Sequence, residues 1–330
     1  MDTFKAYRIH ESDGKVSARF EALSVDQLSA GEVVIRVAWS GVNYKDALAA
    51  TGTGKVIRGF PCVGGIDLSG TVVTSSDGRF KPGDEVIATS YDIGVAHDGG
   101  YAEMARIPAD WVVPLPAGLT LEESMALGTA GYTAALCVLR MEQNGLAPGN
   151  GPVLVTGATG GVGSIAIDIL ARLGYEVTAL TGKEAQADYL KSLGAHDVML
   201  RAKLDLSRIR PLDKALWAGA VDNLGGEVLA WIASTMRPLG TIASIGLAAS
   251  MDLKTTVAPF ILRGACLLGI DSANTPMALR REVWRRLASD MKPAHLSVLV
   301  HRIGFDELPG AFQPLIEGKA TGRSVVKIEA

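Results

Sequence analysis

The sequence predicts an α/β fold in which a doubly wound parallel sheet is inserted into a small β-barrel. Three observations carry that expectation. The first 120 residues consist of short β-branched runs parted by turn clusters. From about Leu121 the apolar spacing becomes helical, and strands then alternate with helices. A glycine-rich turn joins the first strand of that alternation to its helix.

In chain order, Glu32–Val37 and Gly70–Val73 read as strands, and Ser75-Ser76-Asp77-Gly78 and Lys81-Pro82-Gly83-Asp84 read as the turns beside them. Pro114-Leu115-Pro116 punctuates the barrel's end. Leu121 to Met141 has helical spacing, and Thr120 with Glu123 three residues on forms a capping box. The βαβ rhythm follows: strand Val153–Thr156, helix Ser164–Leu173, strand Glu176–Leu180, helix Glu184–Leu193, strand Asp197–Leu200. Apolar runs at Gly219–Val221, Gly240–Ile245 and Cys266–Ile270 complete a sheet of about six parallel strands. The tail, Val298–Ala330, returns to short strands and turns. The expected division is 1–124 with 269–330 as the barrel domain and 125–268 as the nucleotide-binding domain.

Composition bounds the function. The 330 residues carry a formal charge of −3, so nothing in the charge balance neutralises a phosphate backbone, and nucleic acid is not an expected partner. Three scattered cysteines, Cys62, Cys137 and Cys266, form neither a disulfide framework nor a four-cysteine zinc lobe. They are expected to pack as small apolar groups. Charges such as Asp168 and Arg263 interrupt every long apolar stretch, so no membrane span is expected. The N-terminal segment lacks an apolar signal core, and a cytoplasmic location is expected. Glycine, at 38 residues, exceeds the usual ~7% and points to close backbone approach.

The strongest local signal is Val153-Leu154-Val155-Thr156-Gly157-Ala158-Thr159-Gly160-Gly161-Val162-Gly163. A strand entering a glycine turn that opens a helix is the context a dinucleotide fingerprint requires. Gly160 admits the pyrophosphate to the backbone, Gly163 allows tight helix packing, and the helix N-terminus meets the anion. Ala158 stands where the usual fingerprint has its first glycine. At the end of the second strand an NAD site wants an acid. Here Thr181-Gly182-Lys183 offers a hydroxyl and a cation, which suit the 2′-phosphate of NADP, and Arg201 offers a second cation. NADPH is therefore the expected cofactor.

A second constellation is Ser40-Gly41-Val42-Asn43-Tyr44-Lys45-Asp46 with Gly64-Gly65-Ile66-Asp67. With the barrel and the inserted Rossmann sheet, these motifs resemble the medium-chain dehydrogenase/reductase superfamily, whose barrel is GroES-like. Its zinc alcohol dehydrogenases carry cysteine where Asn43 stands and His-Glu where Ile66-Asp67 stand. Asparagine and isoleucine are not zinc ligands, so no catalytic metal is expected. Within the zinc-free branch, Gly128-Thr129-Ala130-Gly131-Tyr132-Thr133-Ala134, Tyr189–Ala195, Trp217–Ala220 and Pro259–Arg263 are similar to the NADPH-dependent acryloyl-CoA reductases, a group also known as quinone oxidoreductases. Gly64 departs from it, since relatives usually have proline there.

That resemblance implies roles residue by residue. Tyr44 would contact the nicotinamide end, and Thr159, Gly160, Gly161 and Val162 would hold the diphosphate. Thr181, Gly182, Lys183 and Arg201 would hold the 2′-phosphate, and Leu247, Ile261 and Ser272 would line the nicotinamide side. The implied reaction is reduction of the acryloyl-CoA double bond to propionyl-CoA. Asn43 and Tyr44 would offer an amide and a phenol to the developing oxyanion. Asp67 would orient them, relay a proton, or only hydrogen-bond the Asn43 loop. Lys55 and Arg58 either meet the CoA phosphates or are solvated charges, and the arginine-rich helix near Leu279–Met291 is read as a solvent face. Cys266–Ile270 is the expected edge strand, through which two copies would pair as a homodimer. Quinone or enone reduction, and nucleotide binding without turnover, are the alternative readings.

Overall fold

The computed structural model describes residues 3–328. Two compact units divide the chain, the first comprising 1–130, 272–288 and 300–330 and the second 131–271 with 289–299.

The first unit is mostly antiparallel. Strands β1 (Phe4–Ser12) and β2 (Lys15–Leu23) form a hairpin, followed by β3 (Val33–Val42), helix α1 (Tyr44–Thr51), β4 (Cys62–Val63) and β5 (Asp67–Ser75). Then come β6 (Glu85–Thr89), β7 (Met104–Ile107), β8 (Val112–Pro114) and helix α2 (Leu121–Gln143). Thr120 and Glu123 form the expected reciprocal cap, at 3.0 and 3.1 Å. Helix α2 crosses the division between the units and breaks its helical geometry at Gly128, where φ is 51° and ψ is −154°.

The second unit holds β9 (Val153–Thr156), α3 (Gly161–Arg172), β10 (Val177–Thr181), α4 (Ala187–Ser192), β11 (Asp197–Leu200) and β12 (Trp217–Asp222). It continues with α5 (Gly226–Thr235), β13 (Met236–Ser244), α6 (Ala258–Arg263) and β14 (Cys266–Gly269). Its six parallel strands lie in the order β11-β10-β9-β12-β13-β14, the doubly wound arrangement that the strand–helix rhythm predicts. Chain reversal falls between β9 and β12, and β14 is an edge. Valine, leucine and alanine fill β9 and β12 because helices cover both faces of such a sheet.

Helices α7 (Met277–Leu287) and α8 (Leu296–Leu299), strand β15 (Val300–Gly304), α9 (Phe312–Ile316) and β16 (Arg323–Lys327) complete the chain. Strand β16 pairs antiparallel with β3, placing the C-terminal strand in the seven-stranded sheet of the first unit. That unit's core joins Tyr7, Ile35, Leu68 and Tyr101 to Phe305 and Phe312.

Two departures from the sequence reading have clear causes. The segment 289–299, expected in the barrel domain, belongs to the second unit. The buried Asp168 carboxylate of α3 accepts the backbone N–H groups of Ala294 and His295 at 2.9 and 2.8 Å. The arginine-rich helix α7 is not solvent-facing throughout, because Arg280 is fully buried. Its guanidinium donates to Thr89 and to the carbonyls of Ser272 and Ala273, and lies 4.3 Å over the Tyr91 ring. With Nε donating to the Tyr91 hydroxyl at 3.2 Å, five oriented donations find oxygens in a single core site.

Candidate active site

In the first unit, the end of β3 lies beside the start of the antiparallel β5, and α1 starts immediately after β3. Asn43 is the N-cap of α1, extended at φ −118° and ψ 159°. Asp46, in the first turn, reaches back, its Oδ2 accepting the Asn43 backbone N–H at 2.9 Å and the Asn43 amide Nδ2 at 3.0 Å. Its Oδ1 accepts the Ile66 N–H at 2.9 Å. The same Nδ2 donates to Asp67 Oδ2 at 2.8 Å. Asp67 also accepts the Thr129 N–H at 2.9 Å and the Thr129 hydroxyl at 2.5 Å, and Thr129 Oγ1 is 3.0 Å from Ser90 Oγ.

Arg323 of β16 closes the cluster. Its Nη1 donates to Asn43 Oδ1 at 2.9 Å and to the Val42 carbonyl at 3.0 Å, its Nε reaches the Ala126 carbonyl, and Nη2 lies 3.7 Å from Asp67 Oδ2. Asp46, Asp67 and Arg323 are all buried. Two carboxylates therefore share one guanidinium away from water. Burial, followed by the neighbouring Asp67 charge, pushes Asp46 up to about 7, against the hydrogen bonds from Asn43 and Ile66. Burial also lowers Arg323, opposed by Asp67 and Asp46. Burial and the same two carboxylates raise Tyr101, whose hydroxyl donates to the Gly41 carbonyl.

This geometry separates the three residues expected to be catalytic. Asn43 does not offer a free amide, since both N–H bonds of Nδ2 are spent on carboxylates and Oδ1 is held by Arg323. That corrects its expected place as an oxyanion donor: pairing two buried carboxylates takes precedence over leaving a donor open. Asp67 has no exposed surface, and its Oδ2 accepts the Asn43 amide. Tyr44 alone is open, with 54% of its surface exposed. Lys55 and Arg58 are exposed, and Arg58 is paired with Asp92.

In the second unit, the turn after β9 places Gly157 at φ 57° and caps α3 with Gly160. A Cβ on Gly163 would lie 2.4 Å from the Gly157 carbonyl oxygen, so only glycine lets the helix come this close to the turn. Thr159 is buried, while Gly160, Gly161 and Val162 are half-buried at the helix entrance. Buried Asp222 ties the neighbouring strand ends together, accepting from the Thr156 hydroxyl and the Gly225 N–H at 2.8 Å each. Burial holds its carboxyl above the usual range. At the end of β10, Thr181 Oγ1 accepts the Lys183 N–H at 3.0 Å, Gly182 is exposed, and Arg201 Nη2 would lie 3.9 Å from a Cβ on Gly182. Partial burial lowers the Lys183 ammonium by taking water from its charged form. Two cations, a hydroxyl and a bare glycine turn thus fit an adenosine carrying a 2′-phosphate, with its diphosphate at the N-terminus of α3.

Beyond the carboxyl ends of β12, β13 and β14 lies a cavity of about 270 Å³, lined among others by Gly225, Ser244, Gly246, Leu247 and Ile270. Leu247 is 60% exposed and lines this cavity. Ile261 of α6 is 72% exposed and does not line this cavity. Ser272 belongs to the first unit, half-buried, with its carbonyl held by Arg280.

Comparison with known proteins sharpens the picture. Residues 29–117 match the alcohol dehydrogenase GroES-like domain, and 161–290 match the zinc-binding dehydrogenase domain. The acrylyl-CoA reductase AcuI of Ruegeria pomeroyi is 47% identical over 320 residues, covering 97% of each chain. YhfP of Bacillus subtilis, whose name places it with the quinone oxidoreductases, is 48% identical over 98% of this chain and 99% of its own. The chain belongs to the medium-chain dehydrogenase/reductase superfamily. Within that superfamily it is an oxidoreductase of the acrylyl-CoA reductase and quinone oxidoreductase branch. The YhdH oxidoreductase of Salmonella enterica, solved with NADP, matches at a TM-score of 0.96 and 46% identity over 98% of this chain and all of that one. YhfP, solved with NAD, matches at 0.96 and 47% over 99% and 100%.

Against the superfamily's zinc enzymes, the decisive substitutions are Asn43 and Ile66, which hold no metal ligand atom of the usual kind. Among the described residues no group of three or more His, Cys, Asp or Glu side chains is placed to hold a metal ion. Four residues of the first-unit cluster, Asp46, Tyr101, Thr129 and Arg323, carry no role in the sequence reading. The available signal for Arg323 was a lone charge at a core-facing position of Arg323-Ser324-Val325-Val326, where 323 and 325 share one face.

Proposed function

We propose that this chain is an NADPH-dependent reductase of the acryloyl-CoA double bond, yielding propionyl-CoA. One observation carries the reading: 47% identity, across nearly the whole chain, to an acrylyl-CoA reductase. The basic, acid-free end of β10 supports NADPH over NADH.

When bound, the nicotinamide supplies a hydride for the β-carbon of the enone-like thioester. The carbonyl oxygen then gains charge as an enolate, and a proton reaches the α-carbon. The chain's own task is to hold and polarise. Thr159 to Val162 receive the diphosphate at the start of α3, and Thr181, Gly182, Lys183 and Arg201 receive the 2′-phosphate. Leu247, Ile261 and Ser272 are assigned to the nicotinamide side. Tyr44 is the exposed donor assigned to the thioester oxygen, and Asn43 and Asp67 fix the start of α1 on which it stands.

Two copies pairing through β14 complete the proposed assembly, since that strand is an edge and Leu267, with Leu239 and Leu262, exposes apolar surface in the same unit. No helix among the described residues is long and apolar enough to cross a membrane, and the proposed location is the cytoplasm.

The test follows NADPH and NADH oxidation with acryloyl-CoA, crotonyl-CoA and a benzoquinone side by side. The expected result is the highest kcat/KM for NADPH with acryloyl-CoA. Turnover of benzoquinone without acryloyl-CoA would transfer the assignment to quinone reduction, the reading that similarity to YhfP favours. Full kcat in Tyr44→Phe would remove Tyr44 from its role.

A further inference from the structure

We propose that Arg323, from the C-terminal strand, is a positioning residue that sets the place of Tyr44. The inference rests on the reading of Tyr44 given above. Tyr44 is the first residue of α1, so its direction is fixed by the two residues before it and by the first turn after it. Arg323 Nη1 binds both of those preceding residues, the Val42 carbonyl at 3.0 Å and Asn43 Oδ1 at 2.9 Å. The Asn43 amide plane is then determined completely: Oδ1 lies on the guanidinium and Nδ2 lies between Asp46 and Asp67. Asp46 carries the restraint into the first turn by accepting the Asn43 backbone N–H.

The surroundings are shaped around this guanidinium. A Cβ on Gly41 would lie 2.8 Å from Arg323 Nη2 and 2.9 Å from Asp67 Oδ2, and one on Gly128 would lie 2.7 and 2.5 Å from the same atoms. Two glycines from separate elements thus make room for the ion pair. Nη2 makes no hydrogen bond and contributes charge alone, 3.7 Å from Asp67. A guanidinium is needed because its planar fork reaches the Val42 and Asn43 oxygens through one nitrogen, the Ala126 carbonyl through another and the carboxylate through the third. Lysine has a single nitrogen at that depth and cannot serve all three.

The experiment is a double-mutant cycle on the full-length enzyme with NADPH and acryloyl-CoA: wild type, Tyr44→Phe, Arg323→Lys and the double variant. Misplacement of a reacting group by about 1 Å costs on the order of a hundredfold, so kcat in Arg323→Lys is expected to fall about ten- to a hundredfold. The KM for NADPH stays within about twofold, because the residues assigned to its phosphates lie in the other unit. In the Tyr44→Phe background the same Arg323→Lys change is expected to cost less than about twofold, the non-additivity of residues acting as one.

An equal fold-loss of kcat in both backgrounds overturns the positioning role while leaving the reductase reading standing. Full kcat in Tyr44→Phe overturns the positioning role together with the role of Tyr44, whereas a wild type that does not turn over acryloyl-CoA overturns the reductase reading. If Arg323→Lys does not fold by circular dichroism, Gly41→Ala takes its place in the cycle. It keeps the guanidinium but displaces it, and the same two outcomes apply.

Discussion

Gly128→Ala is the sharpest test of how the buried cluster is held. At φ 51° and ψ −154° the backbone occupies a region that is close to glycine-only, and alanine there costs about 1–3 kcal/mol. Its methyl would also sit 2.5 Å from Asp67 Oδ2 and 2.7 Å from Arg323 Nη2, contacts that real Cβ atoms do not make. Either Asp67 and Arg323 move apart, or the α2 kink unwinds. Breaking a buried ion pair costs about 3–5 kcal/mol, and a partial separation costs some fraction of that. A total near 4 kcal/mol is expected against a stability of about 5–15 kcal/mol. At about 2–4 °C per kcal/mol for units of this size, the melting midpoint drops by roughly 10 °C. Gly83→Ala is the control, because its φ of 91° imposes strain while no atom lies within 4 Å of the added methyl. Calorimetry of both variants separates the two contributions. Equal shifts, or an unshifted Gly128→Ala, would refute the claim that this glycine exists to admit the ion pair.

Three further outcomes follow. Asp46 is pushed from its ordinary 3.8 to about 7, so the folded chain keeps a proton there that the unfolded chain releases; its stabilising contribution is complete below about pH 4 and is lost as pH rises through 7. Asp46→Asn should therefore show a flatter melting midpoint than wild type between pH 5 and 8. Removing Lys183 or Arg201 should raise the KM for NADPH about 10- to 100-fold, the worth of about 1.5–3 kcal/mol for a charged hydrogen bond, and leave the KM for NADH nearly unchanged in steady-state assays. Asp168→Ala should leave the Ala294 and His295 N–H groups without their acceptor and lower the melting midpoint by a few degrees, at about 1–3 kcal/mol.

The parts of the fold visible in the sequence are those set by short-range pattern. The alternation from β9 to β14 is readable because the strands of a covered parallel sheet carry short, mostly apolar runs and helices such as α3 and α4 are followed by glycine turns at Gly174 and Gly194. The phosphate loop is readable because Gly160 and Gly163 answer to local steric demands. Long-range partners leave no such trace. Arg323 meets Asn43 across 280 positions, and no spacing rule links them. The interruption of α2 at Gly128 is likewise hidden, because the apolar period continues through it while the cause is a carboxylate from β5. Arg280 looked solvent-facing for the same reason: its oxygens come from Thr89 and from the Ser272–Ala273 turn, neither of which its own helix reveals.

The route of the chain through the first unit has a consequence for biosynthesis. Strand β3 and both carboxylates are made early, whereas β16 and its guanidinium emerge last, with the whole parallel sheet made in between. At about 5–20 residues per second the ribosome needs roughly 15–60 s to cover that interval. During it the nascent barrel lacks two strands of its sheet, β15 and β16, and the Arg323 charge that faces its carboxylates. The doubly wound unit, nearly continuous along the chain, has all of its strands made before that interval ends.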